Sequence, residues 1–278
     1  MTSSVSIDFS TEELVLLSEL TSIPMPAGVG VESLELLPPD YRAYARGSAQ
    51  AALTARRVIA SGADGLEVPE PIRQILEVLG RPGMLGVANV QTGEIVETRF
   101  FCADPDLGVE HEEIGPSVHR LSPFPTREFL SRILTFVDLR PADVNDAPPF
   151  DATLAQLETV DQVVSSSEVD AAIRLLVDSG ATQPAAAGFV AALQTRRASV
   201  TITLLYKSTD THTQGGVISW IDGGLNGYWL TDQADEDAVG ADAPITVSPA
   251  SAEALVSQLA SYLPTADPSS SSELSVDR

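Results

Sequence analysis

Residues 121–137, LSPFPTREFLSRILTFV, and residues 247–263, VSPASAEALVSQLASYL, follow the same plan. Each begins with an apolar residue before a Ser-Pro pair and continues as an amphipathic helical pattern, and the two Ser-Pro pairs stand 126 residues apart. At this offset apolar positions coincide through the whole helix, so that Phe129 matches Leu255 and Ile133 matches Leu259. The match predicts an internal repeat.

An earlier block extends the repeat at an offset of 115, where Leu85, Val87 and Val90 match Val200, Ile202 and Leu205. In both copies a helix ends in an Arg-containing turn and leads into a strand. Chance alignment of amphipathic segments is the alternative interpretation, but the shared order of helix, hairpin, short strand, Ser-Pro and helix favours duplication. We therefore predict an α+β fold with pseudo-two-fold symmetry. Short connections favour a central, largely antiparallel sheet, with helices over one face or at the ends.

Local signals place individual elements. Ser10 and Glu13 form a predicted capping box at the first helix, and Asn226-Gly227 predicts a hairpin turn. Both Ser-Pro pairs are predicted to open helices, and the acidic stretches 104–113 and 232–242 are predicted loops. We expect a single domain over residues 1–264, built from halves at about 8–140 and 152–264, and a disordered tail at 265–278.

The composition excludes several classes of protein. The 278 residues carry a formal net charge of −23, and such a chain is repelled by the phosphates of nucleic acids and of anionic membranes. The hydrophobic content of 44% supports a packed core rather than disorder. One cysteine, no apolar run of the ~20 residues that a membrane span needs, and no N-terminal secretion signal together predict a cytoplasmic protein without membrane insertion. Both halves are acidic, which favours a role of this charge in solubility.

The sequence contains no motif for nucleophilic, nucleotide-binding or zinc-hydrolase chemistry. His111 could ligate a metal with His119, but we interpret both as polar loop residues beside a strand. Cys102 is interpreted as a small buried hydrophobe. Trp220 and Trp229 are interpreted as core or cross-strand residues, with a partner-facing anchor as the alternative. We predict no catalytic residue, no cofactor and no metal; an enzyme built on His111 is the least favoured alternative.

Five segments share a pattern with a known protein family: 196–206 (RRASVTITLLY), 216–220 (GVISW), 226–230 (NGYWL), 245–249 (ITVSP) and the helix ending at Pro264. With these segments the chain resembles the EspG-type chaperones of the type VII (ESX) secretion systems of actinobacteria. The first helix and the chain length also fit, so the resemblance covers roughly residues 8–264.

The resemblance implies a non-enzymatic cytosolic chaperone with a central antiparallel sheet flanked by helical bundles. Such a protein binds the hydrophobic helical tip of a PE–PPE-like heterodimer, or a WXG-type equivalent, and keeps it soluble before export. A monomer or a homodimer is expected. The alternative function is an immunity-type or other acidic module that neutralises a basic partner domain, with charge-dominated contacts.

The resemblance also implies partner contacts in two regions. The first is the stretch 103–113, and the second comprises the helices of residues 167–193, whose apolar residues have packing in the core as their other interpretation. The implied contact residues are Asp104, Leu107, Val109, Ile173, Leu176, Val177, Phe189 and Val190.

Overall fold

Ten strands form one antiparallel sheet in the computed structural model, which describes residues 6–30, 36, 38–62, 65–142, 146–209, 212–233 and 242–264. Across the sheet the strands are β1 (Ile7–Ser10), β7 (Val118–Pro125), β6 (Leu107–Gly115), β5 (Ile95–Ala103), β4 (Met84–Thr92), β9 (Ala198–Thr209), β10 (His212–Asp222), β11 (Tyr228–Gln233), β12 (Pro244–Ala250) and β8 (Phe150–Thr153). A separate small hairpin joins β2 (Ala60–Gly62) to β3 (Gly65–Glu67).

The described helices divide between the two faces of this sheet. Three pack on the first half and three on the second half of one face, which we call the bundle face; the other two cover the opposite face. The bundle-face helices are α1 (Thr11–Thr21), α2 (Pro39–Ala55), α3 (Glu70–Gly80), α5 (Leu154–Ser165), α6 (Val169–Asp178) and α7 (Gln183–Gln194), and the opposite-face helices are α4 (Phe129–Phe136) and α8 (Ala252–Ser261). Each bundle and the α4–α8 pair buries its own apolar cluster against the sheet, which confirms the predicted fold class. The expectation that helices cover one face or the ends is wrong, because each face of the sheet carries apolar side chains that helices bury.

The strand order is symmetric about the central β4–β9 pair, as the predicted duplication requires. Outward from this pair the order β4, β5, β6, β7, β1 is repeated as β9, β10, β11, β12, β8. The Ser-Pro match at an offset of 126 fits this arrangement, because β7 and β12 occupy equivalent places and Leu121 and Val247 are both fully buried.

The predicted offset of 115 is wrong by one residue. In each half, one row of directly paired residues runs across four strands. The row is Pro123–Val109–Cys102–Leu85 in the first half and Pro249–Trp229–Ile221–Ser199 in the second. They match Leu85 to Ser199, an offset of 114, rather than to Val200. Directly paired residues lie on the same face of a sheet, and a slip of one residue moves every side chain to the other face. Leu85 packs with the first bundle, whereas Val200 packs under α4 and α8.

The two halves also begin in the same way. Ser10 caps α1 and Thr153 caps α5, each with a reciprocal capping box, formed with Glu13 and Gln156 respectively. The box predicted at Ser10 is confirmed. The box at Thr153 lies at the equivalent position, because β1 and β8 are equivalent edge strands.

Three predictions about local structure need correction. Most of the stretch 104–113 is strand β6 rather than a loop. Both Ser-Pro pairs lie inside strands, in β7 and β12, and the helices begin later. The strands β1 and β8 were not predicted. The predicted loop at 232–242 begins as part of β11 and otherwise lies mostly outside the described residues, as does the predicted tail at 265–278. The expected single domain stays a prediction.

Several side chains are buried as expected. Cys102 is fully buried, and burial, with a smaller contribution from the charge of Asp104, raises the pKa of its thiol to about 12. Trp220 and Trp229 both lie in the core. None of the helices in the described parts of the chain is long and apolar enough to span a membrane.

Candidate partner-binding groove

An open groove of about 710 Å³ lies over the second half of the sheet, on strands β9 to β12 beside the first residue of α5. Its bundle-face lining comprises Leu154, Thr203, Leu205, Thr213, Gly215, Val217, Ser219, Thr231 and Ile245, and Gln214, Gly216, Asp232 and Tyr262 complete it. We call this feature the groove.

The groove exposes aliphatic side chains that a sheet normally covers. Val217 is 55% exposed, Leu154 is 42% exposed and Leu205 is 38% exposed. Exposed aliphatic residues scattered singly are ordinary, but a cluster in a concavity is typical of a binding surface. The groove therefore offers apolar contact area to a partner.

Two hydroxyl groups that line the groove, those of Ser219 and Thr231, have hydrogen-bond partners within the protein. The hydroxyls of Thr201 and Ser219 are 3.0 Å apart, and the hydroxyl of Thr231 donates to the backbone carbonyl of Ser219 at 3.1 Å. Among the described lining residues only Asp232 carries a charge at neutral pH. The groove thus combines aliphatic side chains with uncharged polar ones such as Thr203, Thr213 and Gln214, and its lining residues form no arrangement of acid, base and nucleophile.

The first half has a buried polar chain at the place equivalent to the groove. Nδ1 of His111 lies 3.0 Å from the carbonyl oxygen of Ala27, Nε2 of His111 lies 3.0 Å from Nδ1 of His119, and Nε2 of His119 lies 2.9 Å from Oγ1 of Thr11. Both histidines are buried. The interpretation of His111 and His119 as polar loop residues is therefore wrong.

The proton positions in this series of hydrogen bonds follow from its last acceptor, the carbonyl oxygen of Ala27. A carbonyl can only accept, so Nδ1 of His111 donates to Ala27. In the neutral ring Nε2 of His111 then accepts from Nδ1 of His119, and Nε2 of His119 accepts from the hydroxyl of Thr11. Burial, reinforced by His119, lowers the pKa of His111 to about 4 despite the hydrogen bond to Ala27. Burial also lowers the pKa of His119, while Glu113 and Glu12 act in the opposite direction.

The groove residues replace this polar chain one for one. Through the equivalent strands and helices, Thr11 corresponds to Leu154, His119 to Ile245 and His111 to Thr231. Two of the three positions are therefore aliphatic in the second half, and all three line the groove. The equivalent sites of the two halves thus differ in chemistry: the first is a closed, hydrogen-bonded chain, and the second is open and partly aliphatic.

Four of the eight residues that the resemblance implied as partner contacts belong to the core. Val109, Leu176, Phe189 and Val190 are at most 1% exposed. The ring of Phe189 packs edge-on against Phe150 and Trp229, with centroids 5.6 and 5.5 Å away. For these four the structure corrects the implied partner contact to a packing role, because a buried side chain offers no surface.

The other four implied contact residues are half-buried. Asp104 accepts a hydrogen bond from the backbone nitrogen of Gly83 at 2.8 Å, and Leu107 packs against the first bundle's core. Ile173 and Val177 pack against the core of the second bundle. Their contact with a partner stays a prediction, and none of the eight lines the groove.

Comparison with known proteins points to one fold. No family model and no curated protein sequence matches the chain. Among solved structures, the chain is similar to the Mycobacterium tuberculosis type VII secretion system chaperone EspG5, determined in complex with a PE25–PPE41 dimer. The TM-score is 0.62 and the identity is 15%, over 95% of this chain and 98% of that one. The chain therefore has the EspG-type fold.

Proposed function

We propose that the chain is a chaperone for a type VII secretion substrate, which it binds through the groove. The observation that carries this proposal is the open aliphatic groove on the bundle face of an EspG-type fold. The similar structure is that of a chaperone in complex with a PE25–PPE41 dimer. A PE–PPE-like heterodimer, or a WXG-type equivalent, is accordingly the class of partner we propose.

The mechanism of such a chaperone is burial of apolar surface. The hydrophobic helical tip of the substrate would aggregate in water, and contact with Leu154, Leu205 and Val217 removes both surfaces from solvent. The chain acts as a binding protein rather than as an enzyme, in the cytosol before export, as a monomer or a homodimer. Its net charge of −23 keeps the complex soluble.

Co-expression with the PE–PPE-type heterodimer encoded nearest to the chain in its own genome tests the proposal. We expect the two to co-purify as one species by size-exclusion chromatography. Val217→Asp should abolish co-purification without changing the thermal unfolding midpoint, because this side chain is exposed. Ile95→Asp is the matched control, since Ile95 is a 65% exposed aliphatic strand residue outside the groove. Failure of wild type to bind this heterodimer or a WXG-type substrate would contradict the proposal.

Salt dependence separates this proposal from the acidic-module alternative. An interface with an apolar centre should persist when the salt concentration is raised from about 0.1 to about 1 M, at which screening reduces the range of charge interactions to ~3 Å. Charge-dominated neutralisation of a basic domain should weaken strongly over the same range. Loss of the complex at high salt would favour the alternative.

A further inference from the structure

Strands β10 and β11 diverge along the groove. They pair only over residues 219–222 of β10, whereas β10 pairs with β9 along its whole length. No described strand therefore lies on the β11 side of β10 at residues 212–218, which we call the free edge of β10. The carbonyl oxygen of Ser219 points to this side, since it accepts from the hydroxyl of Thr231. Because alternate residues of a strand direct their backbone groups to the same side, the N–H and C=O groups of Val217 also face the gap.

The free edge of β10 is suited to pairing with one more strand. The backbone groups of an unpaired edge bind an extended segment through the hydrogen bonds of a ladder. The side chains beside this edge are aliphatic and exposed, with Val217 at 55% and Leu205 at 38% exposure. A segment in which apolar residues alternate with polar ones buries these side chains while it extends the sheet.

A positive charge lies at one end of the groove. Lys207 pairs directly with Thr213, which lines the groove, so the two side chains lie on the same face of the sheet. Lys207 is exposed, and no ion pair joins it to a carboxylate of the described residues. It is the only lysine of a chain whose net charge is −23. This end of the groove therefore favours an occupant with an acidic residue.

In the first half, the protein's own chain covers the equivalent surface. The described residues 22–30, which follow α1, lie over β5 and β6: the carbonyl of Ala27 accepts from His111, and Val29 is only 8% exposed. The equivalent connection of the second half, Ser166–Glu168, is too short to reach across the sheet. A cover for the groove has to come from another part of the chain.

The part of the chain that the structure describes leads to the groove at its last helix. Tyr262 lines the groove, and its ring lies directly against Gly216 of β10. The described residues continue to Pro264, and residues 265–271 span up to about 23 Å when extended. Residues from 272 onward therefore reach the free edge of β10 without strain.

The sequence of residues 272–278, SELSVDR, has the chemistry that the groove requires. Leu274 and Val276 alternate with polar residues, as in a strand with one apolar face. Glu273 and Asp277 flank them, so an acidic residue is available for Lys207.

The first half has an equivalent gap that does not suit this segment. Strand β5 pairs with β6 only over residues 99–103, so no described strand lies beside its residues 95–98 on that side. The lining of this gap includes Glu97, Glu112, Glu113 and Arg99. An excess of carboxylates repels an acidic segment. Charge therefore directs residues 272–278 to the groove.

We propose that residues 272–278 lie in the groove of their own chain as an added strand on the free edge of β10. Leu274 and Val276 cover the exposed aliphatic side chains, and an acidic neighbour pairs with Lys207. A partner that uses the groove has to displace this strand, so the segment shields the apolar surface from non-specific contacts. The inference goes beyond the proposed function, because the strand forms in the protein alone.

Backbone NMR of full-length variants tests this proposal in the absence of a partner. Leu274→Asp combined with Val276→Asp removes the apolar contacts. Ser269→Asp combined with Ser271→Asp adds the same two charges outside residues 272–278 and is the matched control. We expect the first variant, and not the control, to shift the ¹⁵N-detected amides of residues 215–219. Its Val217 amide hydrogen should exchange at least about tenfold faster than in wild type, because the added strand no longer protects it.

The charge contact has its own pair of variants. Lys207→Glu should raise the exchange rate of the Val217 amide at least about threefold, whereas Lys207→Arg should leave it as in wild type. The protection should be equal at about 0.1 and about 1 mM protein, because a segment of the same chain acts at a fixed effective concentration. Protection that rises with concentration would assign the strand to a second copy and overturn the intramolecular arrangement.

Other results would also overturn the proposal. These are equal Val217 exchange in wild type and in the Leu274→Asp, Val276→Asp variant, or shifts at residues 95–98 instead of the groove. If the heterodimer of the chaperone test binds, this variant should bind it with a Kd at least about threefold lower, since no strand has to be displaced. Equal affinity would contradict the competition and leave the chaperone proposal standing alone. Protection of Val217 without heterodimer binding would support the added strand and contradict the chaperone role.

Discussion

Nε2 of His111 and Nδ1 of His119 share one hydrogen across 3.0 Å in the buried centre of the first half. A second proton between these rings would bring two N–H groups face to face. The pair is therefore stable only when at least one ring is neutral, and the surrounding burial favours two neutral rings.

Acid should destabilise the protein through this pair. The folded state holds the pKa of His111 at about 4, below its ordinary value of 6.5, so between these values the unfolded chain binds more protons. Stability is consequently present above pH 6.5 and is lost as the pH falls toward 4. For His111 alone we expect a loss of about 2 kcal/mol between pH 7 and pH 5, measured by urea denaturation at both pH values.

The control copies the second half. A His111→Thr, His119→Ile variant carries the residues found at Thr231 and Ile245, and its loss of stability between pH 7 and pH 5 should be smaller by about 2 kcal/mol. Asp8, whose pKa the hydrogen bond from Arg120 lowers, loses its contribution only below its usual range and leaves this window unaffected. An unchanged pH dependence of stability in the variant would show that the histidine pair does not cause the loss of stability in acid.

Gly28→Ala should destabilise the protein more than Gly93→Ala. Both glycines have positive φ, +81° and +61°, so alanine is strained at each by about 1 kcal/mol. A Cβ at Gly93 meets open space, whereas one at Gly28 collides with Phe100, which adds about 1–3 kcal/mol. Urea denaturation measures the difference. With Phe100→Ser in the background the two costs should become similar; a persistent difference would exclude the ring as its cause.

Phe189→Ala should lower the free energy of unfolding by about 3–5 kcal/mol, because it leaves a cavity between Phe150 and Trp229. Leu175→Ala, at a 39% exposed position on the neighbouring helix, is the control and should cost under about 1 kcal/mol. Chemical denaturation followed by circular dichroism measures both. Small and equal losses of unfolding free energy in the two variants would indicate that Phe189 lies at the surface, as the sequence resemblance implied.

Ser10→Ala and Thr153→Ala should each cost about 0.5–2 kcal/mol, since each removes the acceptor that caps a helix. The two caps belong to opposite edges of the sheet, so the double variant should lose the sum of the two costs. A double-variant cycle of thermal or urea unfolding tests this. A cost in the double variant far from the sum would indicate that the halves communicate through the sheet.

The parts of the fold that could be predicted depend on interactions between residues close together in the sequence. The cap at Ser10 and the hairpin at Asn226-Gly227 depend on neighbours within a few residues, and both are confirmed. The matched helices α4 and α8 keep their apolar stripe on the sheet, so the repeat is visible in sequence. The predicted strand offset was wrong by one residue because an alternating sequence fits either register as long as the partner strands are unknown.

Strand β6 could not be predicted because the partners of its acidic residues lie on other elements of the fold. Glu110 and Glu112 lie on the opposite face of the sheet and pair with Arg99 of β5, and Glu110 also pairs with Arg132 of α4. Read alone, the segment 107–115 has the acidity of a solvent-exposed loop. The burial of His111 could not be predicted for the same reason, because its hydrogen-bond partners Ala27 and His119 lie on other elements.

The groove could not be predicted for a different reason. It lies where the second half lacks the long connection that follows the first helix of the first half. Its lining residues belong to no catalytic or metal-binding motif, and those within the segments 196–206, 216–220 and 245–249 match the family only as strand patterns. The usable signal was the difference between the two helix connections, residues 22–38 in the first half and Ser166–Glu168 in the second. Once a repeat is established, comparing the lengths of equivalent connections points to the surface that one copy leaves open.

Cys102 gives the protein an experimental advantage. It is the only cysteine of the chain, it is fully buried, and its high pKa keeps it as an unreactive thiol at neutral pH. A cysteine introduced at an exposed position, such as Leu225 or Val217, would therefore be the single site that a maleimide dye labels. Fluorescent or spin probes can be attached to the native background without first removing a residue from the core.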